Sequence, residues 1–512
     1  MRRAALAALL ALPLPANAQD EGQPLSAIDW LSRSVESAST STRAPSAAAE
    51  PPVADDASTP GITVTPLDSA SEGAAGVLPP EVTGLPRSLW SASEEETLAT
   101  LIRAEQVETL PALQDLLVTL MLAEADPPLG GTGESLYLTR VDKLLDLGAL
   151  EAAQSLLEAG DLLRPEVFRR WFDVTLLTGT ESDACALLKE HPSLAPTLKA
   201  RVFCLARNGD WNAAALTLNT ARALGDVTEE EDALLSTFLD PEFADPEAEL
   251  LPPTRPSPLE YRLRESVGDL LPTSGLPLAF SHADLRDTVA WRAQIEAAER
   301  LARNGALSEN VLLAIYTARD PAASGGVWDR AAAIQGFDRA MQAGDAAAVA
   351  EALPEAWAAM QPAGLAVPFA RLYGAPLLAM ELDGAAGDLA HRVALLSPSY
   401  EEAAHARAPA SRREEVWRAV ATGEVEGVEP VDGASAAVLQ GFGAAEVPEA
   451  LAAQVAEGRT GEAILRAIAA FHQGLDGDYG AATDAIATLR ALGLEEAARR
   501  AALQFLILDA PA

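Results

Sequence analysis

The sequence has few of the residues from which metal and nucleotide sites are commonly built. Its 512 residues include two cysteines, five histidines and three lysines. None of the lysines follows a glycine, which excludes the Gly-Lys-Ser/Thr loop that cradles nucleotide phosphates. Two cysteines and five scattered histidines leave little material for a structural metal site. We therefore expect no metal and no cofactor.

Basic residues are scarce as well. The chain has 37 Lys plus Arg against 75 Asp plus Glu, a formal net charge of -38. Nucleic-acid binding depends on basic side chains that neutralise phosphates. A chain this acidic is a poor candidate for that role, and no nucleic-acid partner is predicted.

Long hydrophobic runs are absent after the first eighteen residues. Within those residues two arginines precede an apolar run over 4–14, and Ala16-Asn17-Ala18 has the small-x-small form of a signal-peptide cleavage site. The run is shorter than the roughly 20 residues of a membrane helix. The pattern predicts a signal peptide over 1–18 and a soluble exported chain without a transmembrane segment. Its predicted location is the periplasm, with secretion as the less favoured alternative.

The two cysteines fit an oxidising compartment. Cys185 and Cys204 each lie in a helical-looking run, and a proline-containing turn over 191–196 lies near the midpoint between them. An antiparallel helix pair joined by that turn brings the two thiols to one level. We predict a Cys185–Cys204 disulfide, and the alternative is a pair of buried free thiols.

The region after the signal peptide, residues 19–85, shows no sustained hydrophobic period. It is dense in Ser, Thr, Ala, Pro and Gly, which predicts a disordered arm. Two short segments within it are more apolar. In the first, Ile28 and Leu31 share a helical face with Trp30 to one side, and the second reads as extended. We predict that both dock on a partner; the alternatives are residual structure or an arm that packs on the chain's own helices.

From Pro86 onward the pattern is helix after helix. Ala, Leu, Glu and Arg dominate, and the alternation typical of strands is nearly absent, which predicts an all-α fold. Proline- and glycine-rich breaks divide it into blocks. The predicted organisation is a signal peptide over 1–18, an arm over 19–85 with docking segments at 25–35 and 62–67, helical block 1 over 86–239, a Pro-rich connector over 240–258, helical block 2 over 259–426, a hinge over 427–433 and helical block 3 over 434–508.

One local turn recurs between helices. A glycine that can take a left-handed conformation ends one helix, an aspartate caps the next, and small alanines then let the two helices approach closely. Trp211, just after the first copy, is expected in the core. The three clearest copies are Gly209-Asp210, Gly344-Asp345 and Gly477-Asp478.

These units resemble the inter-helix turn of tetratricopeptide-type repeats. The match covers the turn and the following helix in each copy, and not a regular repeat of about 34 residues. The resemblance implies an irregular α-solenoid of antiparallel helix pairs, of the kind that binds protein partners in the bacterial periplasm.

A second candidate docking surface is a small-residue loop that opens a helix. Ser324, Gly325 and Gly326 supply flexible backbone, and Trp328 follows them. We hypothesise a binding edge that a partner can approach closely. The alternative is a structural connection whose tryptophan is buried between helices.

Catalytic motifs are missing from the sequence. It contains no Gly-x-Ser-x-Gly, His-Glu-x-x-His or Cys-x-x-Cys pattern. Soluble lytic transglycosylases also join an Ala-rich helical superhelix to a catalytic domain, whose glutamate sits in a Glu-Ser pair followed by Gly-Leu-Met-Gln. Glu265-Ser266 is one of four Glu-Ser pairs here, and no Gly-Leu-Met-Gln follows. No catalytic residue is therefore predicted.

The sequence thus favours a non-catalytic periplasmic scaffold or assembly factor that binds cell-envelope proteins through a helical solenoid. Motility-related, cell-wall and outer-membrane assembly complexes all fit this pattern. The alternatives are a cell-wall-active enzyme or its solenoid regulator, and a periplasmic chaperone.

Overall fold

A computed structural model describes residues 75–131, 133–242 and 250–508. Regular structure in these ranges is helical throughout, apart from two isolated β-bridges, Leu78 with Ala123 and Glu94 with Leu129. The predicted all-α fold is confirmed for this part of the chain. None of its helices is long and apolar enough to cross a membrane.

The helices are numbered α1 to α24 in chain order. They are α1 Pro80–Thr83, α2 Glu95–Ala104, α3 Pro111–Leu122, α4 Glu134–Asp146, α5 Leu150–Glu158, α6 Pro165–Thr178, α7 Glu181–Glu190, α8 Leu198–Arg207, α9 Trp211–Leu224, α10 Glu229–Leu239, α11 Pro258–Ser266, α12 Trp291–Arg303, α13 Glu309–Thr317, α14 Val327–Ala343, α15 Ala346–Met360, α16 Ala366–Leu378, α17 Gly384–Leu395, α18 Tyr400–Ala406, α19 Arg412–Thr422, α20 Gly433–Gly443, α21 Glu449–Ala456, α22 Thr460–Leu475, α23 Tyr479–Ala491 and α24 Glu495–Leu508. Short 3₁₀ turns lie at Arg87–Leu89, Pro192–Leu194, Thr273–Gly275, Leu278–Leu285 and Gln361–Ala363.

The recurring Gly-Asp turn joins helices by the chemistry of its residue types. The side chains of Asp210, Asp345 and Asp478 accept hydrogen bonds from backbone N–H groups in the first turn of the following helix. The glycine before each has a left-handed backbone, with φ of +84°, +65° and +104°. The two helices joined by the third turn, α22 and α23, pack closely. A Cβ at Gly474 of α22 would lie only 2.5 Å from the Cβ of Ala482 of α23.

Packing largely follows the order of the chain. Successive helices contact each other from α4 through to α11, and again from α12 through to α20. The two ends of the described chain also meet, since α24 packs on α3 and α22 packs on α2 and α3. Trp90 is fully buried there against Gly461 of α22, where a Cβ would lie 2.4 Å from its ring.

The three predicted blocks share one core. Buried apolar side chains form a single cluster that extends from Leu85 to Ile507. The proline- and glycine-rich breaks between the blocks therefore mark loops within this packing. They do not mark separate hydrophobic cores.

Asp115 on α3 links helices from all three predicted blocks. Its Oδ2 atom lies 2.5 Å from Nη2 of Arg371 on α16 and 2.9 Å from Nη2 of Arg500 on α24. One turn earlier, the backbone N–H of Ala112 donates to Oε1 of Gln504 on α24 at 2.9 Å. Polar contacts thus fix α24 on α3, near the start of the described chain.

Asp115→Ala is expected to lower the free energy of unfolding by about 1–2 kcal/mol, because two partly exposed ion pairs contribute up to about 1 kcal/mol each. The Asp115 side chain is 34% exposed, so solvent screens both pairs. Urea denaturation measures the change, with Glu415→Ala on the exposed face of α19 as the control. Equal stability losses in the two variants would contradict the linking role.

The predicted arm over 19–85 ends earlier in the structure than in the sequence analysis. The N–H groups of Val77 and Leu78 both donate to Leu122 O, at 2.9 and 3.0 Å, and Glu124 N donates back to Leu78 O at 2.9 Å. Residues 75–85 are therefore folded. The sequence pattern did not reveal this segment because backbone hydrogen bonds hold it, and such bonds leave no hydrophobic period in the sequence. The predicted signal peptide and both predicted docking segments lie outside the described residues.

Two other predicted borders shift slightly. Helix α11 begins at Pro258, inside the predicted connector, because Ser257 caps it and proline suits a first helical position. Helix α20 begins at Gly433, inside the predicted hinge, because Asp432 and Ser435 form a capping box. Residues 243–249 of the connector lie outside the described ranges.

Candidate functional site

A cleft of about 640 Å³ lies between predicted blocks 1 and 2. One side is formed by α7, α8 and α10, and the other by α11, the loop that follows it and the start of α12. The cleft therefore combines residues from both sides of the proline-rich connector.

Aromatic side chains line one wall of the cleft. The rings of Phe203 and Phe238 are 5.8 Å apart, and Trp211 lies 6.0 Å from Phe238. Trp211 is 49% exposed, so the expectation that it lies in the core was wrong. The Gly-Asp turn places it at the first position of α9, on the surface side of Phe238. Phe203 and Phe238 line the cleft, and Trp211 packs on Phe238 without lining it; we call these three residues the aromatic row.

Glu181 and Arg207 are the first charged pair of the cleft. Glu181 begins α7 and Arg207 ends α8, so the helix pair brings them together, each at a helix end that favours its charge. The Glu181 side chain is 1% exposed, and its Oε1 lies 2.7 Å from Nη2 of Arg207 and 3.0 Å from Nη2 of Arg262. Arg207 itself is nearly half exposed at the mouth of the cleft.

Glu265, the glutamate of the Glu-Ser pair, also lines this cleft. Its Oε1 lies 2.5 Å from Nη2 of Arg286, its Oε2 accepts from Nη1 of the same residue at 3.0 Å, and Arg262 contacts Oε2 as well. The Ser266 hydroxyl donates to Leu263 O within the helix. A glycosidase general acid must carry a proton, whereas both oxygens of Glu265 here accept from guanidinium groups.

Two further ionisable side chains, those of Tyr261 and Asp284, form part of the cleft wall. Burial raises the pKa values of Tyr261 and Asp284. The Thr273 hydroxyl donates to Oδ2 of Asp284, which fixes that carboxyl in place. Because burial raises the pKa of Tyr261 above its ordinary value of 10.0, this tyrosine stays protonated at neutral pH.

The disulfide connects the two helices that carry the first charged pair. Cys185 on α7 and Cys204 on α8 are joined, with their Cα atoms 4.9 Å apart, as the sequence predicts. The Asn208 side-chain amide donates to Cys185 O at 2.9 Å and ties the helices together again. This covalent link holds one wall of the cleft.

The second predicted surface, the loop before α14, lies elsewhere. Ser324, Gly325 and Gly326 are exposed, and Gly325 N donates to Oδ1 of Asp329 at 2.8 Å. Trp328 is partly buried, with its ring 5.2 Å from that of Trp291. The tryptophan thus packs between helices, while the glycines remain accessible.

A buried carboxyl lies apart from the cleft, at the end of α2. Burial raises the pKa of Glu105 to about 8, and the Lys143 ammonium opposes that rise. Lys143 is itself buried; its Nζ donates to Glu105 O at 2.9 Å and lies 3.7 Å from Oδ2 of Asp146. Burial lowers the pKa of Lys143, and the two acids counteract this.

Glu105→Gln is expected to flatten the pH dependence of stability. Between pH 5 and 8 the unfolded chain ionises this glutamate while the folded chain keeps it protonated up to about pH 8, so wild-type stability falls as pH rises. The advantage of the Gln variant should therefore grow from pH 5 to pH 8. Urea denaturation at several pH values measures it, with Glu108→Gln, in the exposed part of the same loop, as the control. Parallel curves for wild type and Glu105→Gln would contradict this.

The site residues predicted from sequence are only partly brought together. The cysteines meet at the cleft wall, the Gly-Asp turns are spread over the molecule, and Ile28, Trp30 and Leu31 lie outside the described residues. Sequence reasoning missed Phe238, Arg207 and Arg286. Only the alternation of Arg and Glu along α11 gave a signal, and that pattern is typical of any solvated helix face.

Within the described ranges, no three His, Cys, Asp or Glu side chains are grouped so as to hold a metal ion. No protein-family model, curated protein or solved structure matches the chain.

Proposed function

We propose that this chain is a non-catalytic periplasmic scaffold or assembly factor that binds cell-envelope proteins. The observation that carries the proposal is the cleft between α8, α10 and α11, which combines an aromatic row with arginines already paired to carboxylates. An exposed tryptophan beside a fixed charge network suits recognition of a protein segment, because buried aromatic and arginine side chains dominate binding energy in protein interfaces.

The helical packing supports an irregular α-solenoid of tetratricopeptide-like helix pairs. Consecutive helices pack in chain order, and Gly-Asp turns of matching geometry join three of the pairs. In this proposal the two ends of the solenoid meet, and a disordered arm precedes it. The signal-peptide pattern and the disulfide support export into an oxidising compartment.

Binding in the cleft would use an apolar anchor and a carboxylate. An apolar side chain of the partner packs on the aromatic row, and full burial of such a side chain contributes about 1.5–3 kcal/mol. A neighbouring carboxylate accepts from Arg207 at the mouth. The pairing of Arg262 and Arg286 with Glu265 keeps the cleft rigid and fixes the register of the bound segment.

Variants of the aromatic row test this role. Trp211→Ala and Phe238→Ala should each reduce recovery of a cross-linked envelope partner at least tenfold, as expected for interface hot spots. Leu224→Ala is the matched control, because Leu224 is an exposed apolar residue at the far end of α9. Equal recovery by all three variants would place the partner elsewhere on the protein.

A cell-wall-active enzyme is the second candidate, because Glu265 and Ser266 both line the cleft. The arginines on both oxygens of Glu265 oppose this reading. A muralytic assay of wild type and Glu265→Ala separates the two: activity that disappears in a folded variant would establish the enzyme. We expect no activity from either protein. A chaperone, the third candidate, would instead capture many unfolded clients.

A further inference from the structure

The described part of the chain begins at a fixed point within reach of the cleft. Arg140 on α4 holds the carbonyl of Ala75 at 2.8 Å. Val35 precedes Ala75 by a linker of 39 residues, which has an rms span of about 35 Å when flexible. Helices α4, α5, α6 and α7 pack in succession, and three steps of about 10 Å make about 30 Å. The linker therefore reaches the cleft.

The segment before that linker matches the cleft in chemistry. Residues 25–35 contain the only aromatic residue between the predicted cleavage site and Ala75, Trp30, with Ile28 and Leu31 beside it. Asp29 adds a carboxylate next to these apolar residues. An apolar anchor with an adjacent carboxylate is the ligand that the aromatic row and Arg207 are suited to take.

One charge contact fits the same pairing. Three arginines line the cleft together with three acidic residues, so its lining is balanced in charge. Residues 25–35 are balanced as well, with one acidic residue, Asp29, and one basic residue, Arg33. The charge contact therefore rests on Asp29 and on Arg207, whose side chain is 46% exposed and accessible to a second carboxylate.

We propose that residues 25–35 dock in the cleft of their own chain, with Trp30 on the aromatic row and Asp29 on Arg207. A partner then binds by displacing this segment. Tethering gives the segment an effective concentration of about 1 mM. If the free segment binds with a Kd of about 100 µM, removing it should tighten partner binding roughly tenfold.

Photo-cross-linking of the purified, full mature chain tests the docking. A benzoylphenylalanine in place of Trp30 is irradiated at low protein concentration, and the cross-linked peptides of the monomer are identified by mass spectrometry. The expected result is linkage to peptides that contain a residue of the aromatic row or Leu270, which also lines the cleft. The same probe in place of Val64, in the segment predicted to be extended, serves as the control and should not label these peptides.

A pair of variants tests whether the cross-link depends on the aromatic row. Trp211→Ala changes a half-exposed side chain, so the variant should fold, and it should reduce the cleft cross-link several-fold. The control variant, Leu224→Ala, should leave the cross-link unchanged. Cross-links only between two copies, only outside the cleft, or none at all would overturn the proposal. Because no partner is present, such a failure is distinct from a failure of the scaffold function, which partner capture tests.

Discussion

Arg140→Met is expected to lower the free energy of unfolding by more than about 3 kcal/mol. Arg140 is completely buried and donates to three backbone carbonyls, those of Met121, Ala123 and Ala75, each at 2.8 Å. Burial lowers its pKa to about 10, so it remains charged at neutral pH. Methionine retains an apolar stem but leaves the carbonyls without their donor, and each buried unsatisfied group costs about 1–3 kcal/mol.

Urea denaturation and hydrogen exchange measure this effect. The amides of Val77 and Leu78 should exchange faster in the variant, because Arg140 fixes the segment to which they belong. Arg339→Met is the control, since Arg339 is exposed and donates to Gln335 O of its own helix at 3.0 Å. A loss in Arg140→Met no larger than in the control would show that the buried guanidinium does not fix the segment.

Removal of the disulfide should have the next largest effect. In the double variant Cys185→Ala and Cys204→Ala we expect a loss of about 3 kcal/mol, because the cross-link closes a short loop and restricts the unfolded chain. The cysteines are 19 positions apart and both side chains are buried. The positions of Glu181 and Arg207 should also become less fixed, so binding at the cleft should weaken.

Thermal and urea unfolding with and without reductant measure the contribution of the disulfide. Reductant should bring the wild type to the stability of the double variant and leave the variant unchanged. If reductant does not affect the wild type, whose reduction is verified by mass spectrometry, the stabilising role of the disulfide is refuted.

Local features of this protein could be predicted from its sequence. The Gly-Asp turns follow from the backbone freedom of glycine and the capping chemistry of aspartate, which depend on neighbouring residues only. The disulfide followed from two helical runs around a proline-containing turn. Each of these inferences uses fewer than about 30 consecutive residues, a range in which periodicity and turn chemistry are informative.

Long-range features could not be predicted in this way. The pair of Glu181 with Arg262 joins residues 81 positions apart, and Asp115 meets Arg500 across 385 positions. No periodic signal connects such positions, because the contact depends on how many intervening helices pack. The contacts between the two ends of the described chain and the aromatic row of the cleft belong to this class.

The segment over 75–85 shows a different limit. Composition assigned it to the arm, yet the hydrogen bonds of Val77 and Leu78 to Leu122 O and the Arg140 contact at Ala75 hold it on the helices. One partner group is a backbone carbonyl at the end of α3, and the other is a side chain 65 positions beyond Ala75, so no local side-chain pattern records either contact.

Cross-linking capture of the tagged protein in its native cells tests the proposed scaffold function most directly. Partners are identified by mass spectrometry and quantified relative to the bait, with chains lacking residues 19–74 and carrying Trp211→Ala as comparisons. The scaffold proposal predicts a few envelope proteins in near-stoichiometric amounts, whose recovery falls in Trp211→Ala. Many substoichiometric clients that do not depend on Trp211, or no partner in any of the three proteins, would contradict it.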